Sequence, residues 1–408
     1  MSEDQLRTLL REEPIPGAAE AERRGLELVG RAYAECQPVH RPVHLPRLIV
    51  ALAVAALLAT LILSPAGAAV RDWVDDVFTA GVRHAEPALT EIPGGGELLI
   101  QSQRGPWAVQ ADGSRRLLGD FREATWSPHG LFVAAAATKT LSAIEPDGTP
   151  RWSISASARV HDPRWSPSGF RIAYRAGSSL RVVRADGTGD TLVGSASGAV
   201  PPAWFPPGLH LLAYVDGERR IVIAETDAAR TMDAADASPA VVGLSWSANG
   251  RRLIEISRRG LWLRDVRMSK LASGLRLGAA RRIPLPAAAV VRAAAFSPRG
   301  RTIAVLLDRS PGPGPPRSEA LLIDPAGGPA RRLFGVSGHL TELAWSPDGR
   351  RLLLAWPAAD QWLFVPAEGG ARLRAIGDIA AVFAPGNARK ATFPRVAGWC
   401  CASTPGDG

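Results

Sequence analysis

Hydrophobic positions fall along this chain in two contrasting ways. Residues 48–70 read LIVALAVAALLATLILSPAGAAV, without a single charge, between Arg47 and Arg71. About 20 apolar residues in a helix cross a hydrocarbon core of roughly 30 Å, so the run predicts a transmembrane helix over 47–70. Beyond residue 95 no run of this length recurs. Short apolar stretches such as Ile172-Ala173-Tyr174 and Leu352-Leu353-Leu354-Ala355 are cut off by Gly, Pro and Asp, the pattern of strands ended by turns.

Those turns repeat. Trp126-Ser127-Pro128-His129-Gly130 returns as Trp165-Ser166-Pro167-Ser168-Gly169, Trp204-Phe205-Pro206-Pro207-Gly208, Trp246-Ser247-Ala248-Asn249-Gly250, Phe296-Ser297-Pro298-Arg299-Gly300 and Trp345-Ser346-Pro347-Asp348-Gly349. Successive aromatics stand 39, 39, 42, 50 and 49 positions apart. A period near forty is that of a four-stranded propeller blade. Each unit has a physical reading. The aromatic ends a first strand, Pro sets φ in the turn, and Gly accepts positive φ at its end. Second and third strands follow, then Asp-Gly pairs such as Asp112-Gly113, Asp147-Gly148 and Asp186-Gly187 make tight turns. A short basic fourth strand, as in Arg115-Arg116-Leu117-Leu118, closes the unit. The two long intervals imply extra loops, one of them the Pro- and Gly-rich stretch 310–318.

These motifs resemble the WD40-like (PD40) repeats of TolB-type β-propellers over about residues 95–402. Copies three, four and five depart from the pattern at Phe205, Ala248 and Phe296 and imply less regular packing there. The expected fold is all-β: a β-propeller preceded by a transmembrane helix and a short helical cytoplasmic stub. Six motifs give six complete blades. Residues 97–119 supply three further strands, and Arg395-Val396-Ala397-Gly398-Trp399-Cys400 resembles the missing one. Pairing the two would close a seventh blade without a free edge, so seven is preferred over six.

The rest of the chain divides accordingly. Residues 1–46 form a stub: Ser2 and Gln5 suit a capping box ahead of Leu6, Leu9 and Leu10, Pro14 and Pro16 interrupt, and residues 18–35 return to helical spacing. Arg31, Arg41 and Arg47 before the apolar run, against Asp72, Asp75 and Asp76 after it, put the N-terminus in the cytoplasm and the propeller outside. A cleaved signal peptide is the competing reading, since Ala66-Gly67-Ala68 is A-x-A-like, but so long a leader before its apolar region is unusual. Residues 71–94 read as a juxtamembrane helix with Trp73 at the interface, then a linker, and 403–408 as a tail.

Composition changes little of this. The 41 Gly and 34 Pro suit a turn-rich fold. Net charge is +9, carried almost wholly by Arg beyond residue 47, with no RNP-type motif or zinc-finger spacing beside it. Nucleic acid is therefore not the expected partner. Of three cysteines, Cys400 and Cys401 are neighbours on the closing strand. Strand neighbours point to opposite faces, so these two are expected to remain small apolar residues rather than a disulfide.

Chemistry is sparse. The nearest string to a nucleophile elbow, Gly194-Ser195-Ala196-Ser197-Gly198, has Ala at its centre, and H-E-x-x-H, P-loop and EF-hand strings are absent. No catalytic residue and no cofactor is assigned, and the metal question is left open. One constellation comes from aligning the repeats. Three positions before the aromatic stand Glu123, Asp162 and Glu342; one position earlier stand Arg122, His161, Arg292 and Arg395. If this strand is innermost, as the resemblance implies, these seven residues ring one mouth of the central channel. They could bind a polar ligand or a cation, or form a solvated rim of weak ion pairs.

The function expected is a membrane-anchored extracytoplasmic scaffold that binds an envelope protein or polar ligand. Two alternatives stand beside it. One is a transmembrane signalling partner whose stub docks a cytoplasmic regulator, as in anti-sigma factors, although their zinc-binding His/Cys pattern is missing. The other is a propeller enzyme using the mouth carboxylates with a metal.

Overall fold

The computed structural model describes residues 89–401 except 199, 207, 269–273, 310–315, 369–371 and 385–390. The expected stub, transmembrane helix, most of the juxtamembrane segment and the tail lie outside these residues. Among the described residues no helix is long and apolar enough to cross a membrane.

Seven antiparallel sheets make seven blades, and the chain is an all-β propeller. We number the blades by the order of their inner strands: Glu123–Trp126, Val160–Trp165, Ala203–Trp204, Val241–Trp246, Ala289–Phe296, Glu342–Trp345 and Arg395–Cys400. Each inner strand touches the next around a complete ring, the seventh touching the first. Blade 7 is assembled from both ends of the described chain. Arg395–Cys400 pairs with Glu97–Ser102 in the register Glu97↔Cys400, Leu98↔Trp399 and Gln101↔Arg395, and Gly105–Val109 and Arg115–Leu117 complete it. The ring thus has no unpaired strand at its seam.

The repeated motif can now be read atom by atom. In blade 6 the Ser346 N–H donates to the Arg351 carbonyl and the Ser346 Oγ accepts the Arg351 N–H at 2.9 Å, so one serine closes the turn twice. Ser127, Ser166, Ser247 and Ser297 repeat this with the residue five positions on. The motif's last glycine has φ between 66° and 76° in all six copies, the left-handed region where a side chain is strained. In blade 3, Phe205 cannot make the serine bond. It is buried instead, edge-on to Trp246 at 5.1 Å, and the inner strand shrinks to two residues.

The aromatics latch the blades together. The Trp204 indole N–H donates to the Arg164 carbonyl (2.9 Å), that of Trp246 to Ala203 (3.1 Å) and that of Trp345 to Ala295 (3.2 Å). Each acceptor is the residue before the motif aromatic of the preceding blade. Trp126 and Trp165 are equally buried, but their N–H groups find no partner. Trp399 turns elsewhere, to the Gly95 carbonyl, and holds the incoming segment Leu89–Gly96 against the turn end of blades 6 and 7.

Seven hydrophobic clusters fill the spaces between the blades, one for each neighbouring pair. Second and third strands are covered on both faces, so Leu211–Val215 (LLAYV) and Val133–Ala136 (VAAA) are buried throughout and do not alternate. One buried ion pair interrupts this apolar core. Glu255 is wholly buried and accepts Arg264 Nε at 2.5 Å and the Ser238 N–H at 2.6 Å; Arg264 also donates to the carbonyls of Gly278 and Asp236. The group ties blade 4 to the connection leaving blade 3.

Two expectations are corrected. Cys400 and Cys401 are disulfide-bonded, with Cα atoms 3.7 Å apart. The argument from strand geometry assumed both lay in the strand. It ends at Cys400, and Cys401 takes φ +60°, which swings its side chain back toward its neighbour. The loop expected over 310–318 is shorter at its far end, because the third strand of blade 5 starts at Arg317, where Ser318 is paired and buried. In blade 4 the fourth strand is split: Leu275–Leu277 pairs with one half of Gly260–Met268 and Arg281–Ile283 with the other.

Candidate binding surface at the channel mouth

The inner strands run toward the Ser-Pro turns, so their first residues and the hairpins joining second to third strands share the opposite end, the mouth. All seven residues singled out from the repeats lie there. They form three groups rather than one continuous ring.

The first group spans blades 1 and 2. Glu123 Oε2 accepts the Asp162 N–H at 2.6 Å, and its Oε1 lies 3.7 Å from His161 Nδ1. Asp162 has φ +48° at an irregularity in its strand, which turns its N–H toward blade 1. Its Oδ2 accepts Arg175 Nε and Nη2 at 2.8 and 2.6 Å, and Arg175 also donates to the Gly198 carbonyl. The second group repeats this brace between blades 6 and 7. Glu342 Oε2 accepts the Val396 N–H at 2.6 Å, and Oε1 accepts Arg395 Nε at 3.1 Å. Burial pushes the Glu342 carboxyl above its ordinary value, against the opposing pull of Arg395 and the Val396 N–H. The third group lies in blade 5, where the exposed Arg292 bonds Asp308 Oδ2 at 2.5 Å. His339 Nδ1 meets the same oxygen at 3.0 Å, Ser318 donates to the other, and the Leu340 N–H donates to Ser318 Oγ at 2.9 Å. Arg122 is exposed beside Glu123.

The same carboxylates therefore do two things. Glu123 and Glu342 each satisfy a backbone N–H of the next blade, and each leaves an oxygen facing a basic side chain at the mouth, His161 and Arg395 respectively. On the inner strand of blade 2 stands the half-buried Arg164, which sequence reasoning passed over. Its Nη1 donates to the Pro163 carbonyl at 2.9 Å. Burial lowers its pKa; the fields of Asp162 and Glu123 support its charge and that of Arg395 opposes it, so groups from blades 1, 2 and 7 converge on one space. Arg175, Asp308 and Ser318 were missed as well. They sit at the mouth ends of second and third strands, which the alignment of first strands did not compare. A charge at the end of an otherwise apolar strand, as in RIAYRA or IAVLLDR, was the available signal. Among the described residues no three His, Cys, Asp or Glu side chains come together as a metal site.

No family model matches the chain, and no curated protein does. Solved structures do. Hydrazine synthase of Kuenenia stuttgartiensis aligns over 60% of this chain and 76% of its own at 15% identity, with a TM-score of 0.46. The Myceliophteria thermophila Cps50 (Swd1) beta-propeller domain aligns over 66% and 95% at 14% identity, with a TM-score of 0.48. At this level the likeness does not extend to chemistry.

Proposed function

We infer that this protein is a binding module: a TolB-like propeller of PD40-type repeats, held outside the cytoplasmic membrane by the apolar run 47–70, that recognises an envelope protein or polar ligand at its channel mouth. The observation carrying this reading is the convergence of Glu123, His161, Asp162, Arg164, Glu342 and Arg395 from four blades at one end of a closed ring. A ring without loose edges holds such groups in fixed relation, and charged groups so held give specificity and steer association. The segment Leu89–Gly96 joins the propeller at the turn end, which leaves the mouth at the far side from it.

The test is crosslinked capture from native envelope with the full chain as bait, comparing native protein with an Arg122→Glu/Arg395→Glu variant. Both side chains are exposed, so the fold should persist, as a thermal melt would verify. Loss of the captured species supports the reading; identical capture by the two baits overturns it. The two helical segments read in residues 1–46 favour a second role, docking a cytoplasmic regulator. Removal of residues 1–36 should then abolish a regulator's co-purification while envelope capture persists.

A further inference from the structure

A second feature at the mouth end lies away from the inner ring, where blade 4 meets blade 5. The hairpin between Arg252–Ser257 and Gly260–Met268 carries Arg258 and Arg259 at its tip. The connection entering blade 5 faces it and contributes Pro284 and Leu285, the start of the inner strand contributes Val290, and the strand Arg281–Ile283 contributes Arg282. Between them is a cleft of about 610 Å³.

The cleft is built rather than incidental. The Val291 N–H donates to the Arg258 carbonyl at 3.0 Å and fastens the hairpin to the inner strand of blade 5. Arg282 lies over the Trp262 ring at 5.9 Å and donates to the Arg259 carbonyl at 3.2 Å, so this guanidinium is held in place from two directions. Its charge is not answered locally. Glu255 is taken by Arg264, Asp265 lies beside Arg252, Asp308 is shared by Arg292 and His339, and Glu319 faces Arg309. No acidic residue lines the cleft. Three arginines line the cleft together with Pro284, Leu285 and the 40%-exposed Val290, so it offers cationic and apolar groups side by side. A small inorganic anion would leave the apolar groups of the cleft wet, and an apolar ligand would leave its three guanidinium charges unanswered.

We propose that this cleft binds an acidic peptide segment of a partner protein, in which carboxylates alternate with apolar side chains. An extended peptide presents its side chains in alternation, which suits a cleft lined by both guanidinium and apolar groups. Guanidinium groups accept carboxylates in bidentate geometry, and their fixed spacing sets register. The proposal rests on the binding-module reading and adds to it a recognition element separate from the channel ring.

The test uses the full chain and three fluorescein-labelled peptide pools: Glu/Asp alternating with Leu/Val/Phe, Glu/Asp alternating with Ser, and Ser alternating with Leu/Val/Phe. Fluorescence anisotropy should show the first pool binding at least tenfold more tightly than either other, with affinity falling as salt rises. Arg258→Ser/Arg259→Ser should weaken it at least tenfold, and Leu285→Ser should weaken the first pool toward the second. Arg299→Ser, on the turn face, should change nothing. Equal binding of the two acidic pools would show a general polyanion surface and overturn the proposal, as would binding indifferent to the Arg258/Arg259 change. Envelope capture lost in the Arg122/Arg395 variant while peptide binding is kept would support the mouth reading and leave this cleft standing on its own result. Absence of peptide binding with capture intact would refute the cleft alone.

Discussion

Replacing Glu255 by Ala would leave the Arg264 guanidinium buried between blades 3 and 4 without its carboxylate, and the Ser238 N–H without an acceptor. Glu255 is wholly buried and the Arg264 side chain only 6% exposed, so water cannot take over the lost contact. Breaking one side of such a pair costs about 3–5 kcal/mol. Unfolding entropy of about 2.1 cal/mol/K per residue, over the roughly 310 residues of the propeller, gives about 0.65 kcal/mol per kelvin. The midpoint should therefore fall by about 5–8 °C in a calorimetric or far-UV circular dichroism melt at neutral pH. Arg264→Met should cost a similar amount. The double variant Glu255→Leu/Arg264→Met removes both charges and should recover part of the combined loss, though not all, because the carbonyls of Gly278 and Asp236 and the Ser238 N–H lose their partners. The cycle should show a coupling of about 0.5–3 kcal/mol. A midpoint shift below about 1 °C for Glu255→Ala, or strict additivity of the two single changes, would refute the reasoning.

Three further outcomes follow from the geometry. Burial holds Glu342 above its ordinary value of 4.5, so its contribution to stability is complete in acid and is lost as pH rises through the raised value. The melting-point advantage of native protein over Glu342→Gln should therefore be greatest near about pH 4 and decline toward about pH 7; a flat difference would show that the carboxyl does not titrate in this way. Trp204→Phe deletes an indole hydrogen bond and should cost about 1 kcal/mol, whereas Trp165→Phe removes a buried N–H without a partner and should cost less or stabilise; thermal melts giving the reverse order would count against the latch. Cys400→Ser/Cys401→Ser should change stability by only about 1 kcal/mol, because a bond between adjacent residues closes almost no loop in the unfolded chain, and thiol titration of unfolded native protein should release two additional thiols on reduction.

The blades were legible because their signal is local and repeated. An aromatic, a serine and a glycine at fixed offsets describe a turn whose hydrogen bonds lie within five residues, as Ser346 and Arg351 illustrate. The seventh blade could also be read, since Trp399 keeps the aromatic position and residues 97–119 lack only an inner strand. What escaped depends on distant or conformational facts. That Glu123 and Glu342 brace neighbouring blades follows from where a strand irregularity aims an N–H 39 or 54 positions away. The disulfide depends on one left-handed residue at Cys401. The cleft beside Arg258 exists because the connection into blade 5 folds over the hairpin of blade 4, and no periodicity encodes that path.

The seam in blade 7 has a consequence for the order of events during synthesis. Glu97–Ser102 is among the first parts of the propeller to leave the ribosome, and its inner partner Arg395–Cys400 is the last. At about 5–20 residues per second, some 290 intervening residues take roughly a quarter of a minute to a minute. Throughout that time the apolar strand ELLIQS has one edge open to pairing with any other extended chain. Contacts spanning nearly the whole domain are also the slowest kind to form. The nascent protein therefore faces its greatest aggregation risk before its final strand exists, and a holding chaperone that covers that edge would raise the yield of closed rings more than any stabilising substitution within the blades.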